Sequence, residues 1–162
     1  IKMYLSVYHK NFNPYNIIIG DKTKNNVMNS SDFHRIIFSD ENTATTGLYI
    51  HFTLKHINIE KYFNKIKCQI EHSYENNAVI SNIKSIEKTI LEKFHLSNNK
   101  NIACRINEQL QNGYIKLYGD DTIQYGKHKE VHFFLKISGI WVSNQENQVG
   151  LTFRFFIYNN MI

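Results

Sequence analysis

From His132 to Tyr158 the sequence reads HFFLKISGIWVSNQENQVGLTFRFFIY, and apolar and polar side chains alternate through much of it. Period-two alternation is the mark of a strand with one buried and one open face. The stretch therefore predicts a pair of strands and commits the chain to a β-rich architecture. Phe133, Leu135, Ile137 and Trp141 share odd parity, as do Leu151, Phe153, Phe155 and Ile157, and these positions are assigned to the core. The even positions leave His132, Phe134 and Lys136 on one strand and Arg154, Phe156 and Tyr158 on the other, a face that mixes rings with cations.

Other segments repeat the alternation. Lys2 to Tyr8 reads as a strand, as do Ile17 to Ile19 and His34 to Phe38, with DKTKNNVMNSSD between the last two expected to be a mobile loop. In Leu48 to Leu54 the residues Leu48, Ile50, Phe52 and Leu54 oppose Tyr49, His51 and Thr53; after Lys55 the apolar positions change parity to Ile57 and Ile59. Such a change marks a bulge or sharp bend. A helical spacing follows in Val79, Ile80, Ile83, Ile86, Ile90, Leu91 and Phe94, with Asn76 and Asn77 as candidate caps. Asn112-Gly113 signals a tight turn between NIACRINEQLQ, readable as strand or helix, and the strand YIKLY. The order β-rich, helix, β-rich predicts a mainly β, α+β fold, an OB-like β-barrel with one main helix inserted or flanking. No repeat, linker or long charge block divides the 162 residues, so 1–162 is read as one domain. Folding at this length buries roughly two-thirds of the chain's surface.

The chain carries 19 Lys and Arg against 14 Asp and Glu, a net charge of +5, and 14% aromatic residues. A basic balance favours a polyanionic partner, and rings beyond those a core needs can stack on exposed bases. Four strands show outer faces of this composition. The candidate nucleic-acid-binding residues are Tyr49, His51, Lys55, Tyr114, Lys116, Tyr118, His132, Phe134, Lys136, Arg154, Phe156 and Tyr158, with Lys127 and Lys129 from the basic cluster around His128. Bases stack on such rings while Lys and Arg neutralise phosphates, which suits single strands with little regard to sequence. The competing explanation is a second core layer, with the same rings covered by the helix or another part of the sheet.

Cys68 and Cys104 are too few for a secreted disulfide framework and read as buried thiols in an intracellular setting, cytoplasm and nucleus not being distinguished. No apolar run approaches the roughly 20 residues of a membrane span, and no membrane partner is expected. Gly119-Asp120-Asp121 resembles a metal-holding polymerase turn without the rest of a polymerase. His128 with His132, or Cys68 with His72, offers two metal ligands where zinc needs three or four. No metal, cofactor or catalytic residue is assigned; there is no P-loop, dinucleotide fingerprint or nucleophile elbow.

The C-terminal third adds a resemblance. Ile115-Lys116-Leu117 entered through a Gly, Gly139-Ile140-Trp141, and Gly150-Leu151-Thr152-Phe153-Arg154-Phe155 resemble elements of single-stranded DNA-binding proteins of large DNA viruses and related replicons. The likeness covers roughly the last 50 residues. It implies an OB-type barrel that coats single strands during viral or plasmid replication without catalysing a reaction. Single-stranded DNA is then the expected partner, RNA the alternative strand, with self-association and replication proteins as further partners. Two rival readings are a virion β-sandwich whose outer rings make subunit contacts, and a small metal-dependent nuclease using Asp120, Asp121 and Glu130.

Overall fold

The strands predicted from Ile17 onward are present, and one of them organises the rest; of the strand expected from Lys2 to Tyr8 only Val7–Tyr8 forms, and Lys2 to Tyr4 lie outside the described residues. The computed structural model describes residues 5–24, 31–95, 99–118 and 122–157. Strands β1 (Val7–Tyr8), β2 (Ile17–Lys24), β3 (Ser31–Ser39), β4 (Ala44–Thr46), β5 (Leu48–Tyr62) and β6 (Lys65–Ile70) precede helix α1 (Tyr74–His95). After it come β7 (Asn101–Ala103), α2 (Arg105–Gln111), β8 (Tyr114–Tyr118), β9 (Gly126–Ser143) and β10 (Gln148–Ile157). The protein is a β-rich α+β fold.

β9 is the central strand. β10 runs antiparallel along one edge of it, from Ile157 opposite Phe133 to Gln148 opposite Ser143. The other edge is shared. β5 pairs with β9 as far as Leu48 opposite Ile137, and β3 takes over from Arg35 opposite Gly139. The sheet continues outward as β2 beyond β3 and as β6 and then β8 beyond β5. Among the described residues no backbone pairing joins β8 to β10, so the expected barrel is not closed: the curled sheet keeps an open seam.

Inside the curl lies one apolar cluster in which Ile50, Phe52, Leu54, Phe133, Leu135 and Phe155 of the sheet meet Ile83, Ile86, Ile90 and Leu91 of α1. The parity change after Lys55 is a real kink, with His56 at φ 55°. Asn76 pins it from α1. Its Oδ1 accepts the Lys55 N–H (2.8 Å), and its Nδ2 donates to the Lys55 and Glu71 carbonyls (2.7 and 2.9 Å). Asn76 is therefore not the helix cap. Ser73 is, its Oγ accepting the Asn76 N–H at 3.1 Å.

Two further expectations are corrected, for the loop and for Cys104, and one open alternative is resolved. Part of the supposed loop is strand, since Lys22, Thr23 and Lys24 pair with His34, Phe33 and Asp32. The open choice for NIACRINEQLQ resolves into both, a short strand and then a helix, and Asn112-Gly113 forms the expected turn between α2 and β8. Cys68 is buried, and burial pushes its thiol up to about 12, but Cys104 is half-exposed at the start of α2.

His9 is buried against α1, where Asn82 Nδ2 donates both to its Nδ1 and to its carbonyl at 2.8 Å. Burial first, then Lys10 and His51, hold its pKa below the ordinary 6.5. The unfolded chain then binds more protons than the folded one below that value. The stabilisation is complete above pH 6.5 and is lost as pH falls through the lowered folded value. His51, also lowered by burial, acts in the same direction. The thermal midpoint should fall on acidification from about pH 7 to about pH 5. His9→Asn, whose Oδ1 can replace the Nδ1 acceptor but does not titrate, should show a shallower slope; an unchanged slope would refute the assignment.

Candidate nucleic-acid interface

The open seam between β8 and β10 is a groove of about 970 Å³. One wall is β8, with Tyr114, Lys116 and Tyr118; the opposite side carries Thr152, Phe153 and Arg154 of β10 with Phe33 and Arg35 of β3. Helix α2 closes one end with Arg105, Glu108 and Gln109. Gln109 Oε1 accepts the Lys116 N–H at 2.9 Å, so a free edge group of β8 is satisfied by the helix where a strand would otherwise pair.

Glu87 sets the position of α2. Its carboxylate, buried in α1, accepts the N–H groups of Ile106 and Asn107, both at 2.8 Å. Burial raises its pKa, and the two backbone hydrogen bonds oppose that rise. The first turn of α2 is held from a neighbouring helix, which fixes Arg105 over the groove.

Trp141 is buried as parity predicted, but on the face opposite the main apolar cluster. Between Ile137 and Gly139 the pairing with β10 slips by one residue, Phe153 facing Ile137 and Thr152 facing Gly139, so Ser138 is extra. A single added residue reverses the faces of a strand. Ile140 and Val142 join the core, and Trp141 turns into the groove, with the Arg105 guanidinium 4.6 Å from its ring centre. Gly150 lies opposite Trp141, and a Cβ there would sit 2.3 Å from the indole. A Cβ on Gly139 would likewise meet the Phe33 ring at 2.3 Å. These two glycines give both rings their places.

Among the described residues, six cations, Lys24, Arg35, Lys65, Arg105, Lys116 and Arg154, line the groove against one acid, Glu108. They interleave with rings. Arg154 stands 5.4 Å from the Tyr118 ring and 5.2 Å from that of Phe156, and Lys116 stands 5.4 Å from Tyr114. Arg154 also pairs with Lys136 across β9 and β10, and Lys136 is 5.6 Å from the Tyr49 ring. The groove therefore runs on to the outer face of β5, β9 and β10, where Phe156 and Phe134 are register partners.

The structure thus brings Tyr114, Lys116, Tyr118 and Arg154 into the groove and Tyr49, Phe134, Lys136 and Phe156 onto the adjoining face. His51 is half-covered, bonded to Ser6 Oγ at 2.9 Å with Tyr8 packed nearby. His132 bonds to Thr53 at 2.7 Å and lies 3.3 Å from Glu130. Lys55 is not in the groove. It pairs with Glu75 at 3.0 Å, and that hydrogen bond and charge raise its pKa. Lys127 and Lys129 line a separate pocket of about 350 Å³ with His56, Asn58, Glu71 and His128. Tyr158, Asp120 and Asp121 lie outside the described residues.

Phe33, Arg35, Lys65, Arg105 and the groove-facing role of Trp141 were missed by sequence reasoning. Gly150 against the Trp141 ring and Gly139 against the Phe33 ring were the available signal. Among the described residues no three His, Cys, Asp or Glu side chains gather as a metal site, and no helix is long and apolar enough to cross a membrane. Compared with family models, with curated proteins and with solved structures, the chain has no match.

Proposed function

We propose that this protein binds single-stranded DNA with little sequence preference and coats it during viral or plasmid replication, without catalysing a reaction. The observation that carries the reading is the groove itself, in which, among the described residues, six cations are interleaved with Phe33, Tyr114, Tyr118 and Phe153 against one carboxylate. Phosphates exchange condensed counterions for Lys and Arg, and unpaired bases stack on rings irrespective of identity. Duplex bases are not available for stacking. The C-terminal motifs that resemble single-stranded DNA-binding proteins fall on this groove: Lys116 on one wall, Trp141 in it, and Thr152 to Phe155 on the other side. Single-stranded RNA offers the same chemistry and is a competitor in the test.

Titration with oligo(dT), oligo(U) and duplex of equal length at several salt concentrations should rank single strands above duplex, with affinity falling as salt rises. Lys116→Ala and Arg154→Ala should each flatten the salt slope by about one ion or less. Equal affinity for duplex and single strand, or slopes unchanged in both variants, would overturn this reading. Cleavage of labelled strands on addition of Mg²⁺ would replace it with the nuclease reading.

A further inference from the structure

On its β6 side the groove ends at Lys65, next to the turn of a hairpin that carries exposed rings at Tyr62 and Phe63. β5 and β6 pair up to Tyr62 opposite Lys65, leaving Phe63 and Asn64 as a two-residue turn. Phe63 is 81% exposed and sits at φ 55°, in the left-handed region. That conformation is unfavourable for a bulky L residue, and Asn or Gly is the usual occupant of such a turn position. Strain of this kind, retained at an exposed ring, points to a function outside the fold.

The ring is also connected to the groove. Phe63 meets Tyr62 edge-on, with centroids 4.9 Å apart, and Lys67 Nζ is 5.7 Å from the Tyr62 ring and 4.8 Å from that of Tyr114. Lys65 Nζ lies 5.6 Å from the Tyr118 ring, the same ring that Arg154 approaches from the groove. Rings and cations alternate from Arg154 to the hairpin tip.

Resting on the groove reading above, we propose that the Tyr62–Phe63 tip is a second stacking site for single-stranded DNA. A strand leaving the groove runs its phosphates past Lys65 and Lys67 and sets a base against Phe63. The turn has a ring where Asn would relieve the backbone, which lengthens the occupied segment of DNA without adding sequence preference.

Fluorescence anisotropy with labelled oligo(dT) of about 5 to about 30 nucleotides, a range that brackets one OB-like unit, tests this on the wild type and Phe63→Asn. Oligonucleotides that only fill the groove should bind both proteins alike. Those long enough to reach the tip should bind the variant roughly tenfold more weakly, a difference that persists at high salt because stacking is screened less than charge. Since Asn tolerates the left-handed region, the same variant should melt at a higher temperature, which separates lost binding from lost folding. Equal binding of long oligonucleotides by both proteins would overturn the hairpin site and leave the groove reading standing. Failure of the wild type to bind oligo(dT) of any length would overturn both.

Discussion

Phe133→Ala is expected to cost about 3–5 kcal/mol of stability, while Phe156→Ala, on the strand beside it, is expected to cost little stability and most of its effect in binding. Phe133 is fully buried and stacked on Phe52 with ring centroids 5.4 Å apart, and Phe52 in turn meets Phe155 edge-on at 6.2 Å. Removing one ring from this trio leaves a cavity that β5, β9 and β10 cannot close, because backbone pairing fixes their spacing. A loss of that size is a large part of the 5–15 kcal/mol that holds a typical domain folded. Phe155→Ala should behave in the same way. Phe156 is 36% exposed and has the Arg154 guanidinium beside it on the outer face. Its loss should weaken binding of single strands by about 1–3 kcal/mol, and the deficit should survive high salt. Urea melts and oligo(dT) titrations on the variants decide the matter. If Phe156→Ala unfolds as readily as Phe133→Ala, the outer face is a second core layer and the binding surface is confined to the groove.

Asn76→Ala should destabilise by about 3 kcal/mol or more, although it removes no apolar surface. The side chain is buried and serves three backbone groups at the β5 kink: the Lys55 N–H, the Lys55 carbonyl and the Glu71 carbonyl. Each group left without a partner costs about 1–3 kcal/mol. Asn76→Asp should not rescue it. A carboxylate keeps the acceptor for Lys55 N–H but turns the donor to two carbonyls into a repelling oxygen. Denaturant titration measures both variants, and a loss below about 1 kcal/mol in Asn76→Ala would show that water replaces the amide without penalty.

Much of this fold was legible because burial imposes a period. Leu48 to Leu54 and Phe133 to Ile137 alternate since one face of each strand meets the core, and Ile83, Ile86, Ile90 and Leu91 recur at helical spacing for the same reason. The change of parity after Lys55 was legible too, as it shifts a whole set of apolar positions. The slip at Ser138 was not. It moves only Ile140, Trp141 and Val142, too few residues for periodicity to register, and an apolar ring fits either side of the strand in a sequence pattern. Trp141 was therefore assigned to the wrong face. Lys55, Lys127 and Lys129 have the composition of a phosphate contact, but composition does not say that Lys55 is taken up by Glu75 or that the other two lie on a separate pocket.

What the sequence by itself determined was the class of fold, the strands and helix that carry the core, and a surplus of rings and cations on their outer faces. These properties are local: each follows from the neighbours of a residue along the chain. Only the tertiary structure decided where those outer faces converge. At the seam between β8 and β10, Gln109, from α2, takes the Lys116 N–H, and α2 is held there by Glu87, 20 residues before the Asn107 N–H that it binds. Trp141 enters the seam because Gly150, on another strand, leaves room for it. Each of these contacts joins segments distant in sequence, and no periodicity in the chain encodes which distant partner a hydrogen bond or a missing Cβ will meet.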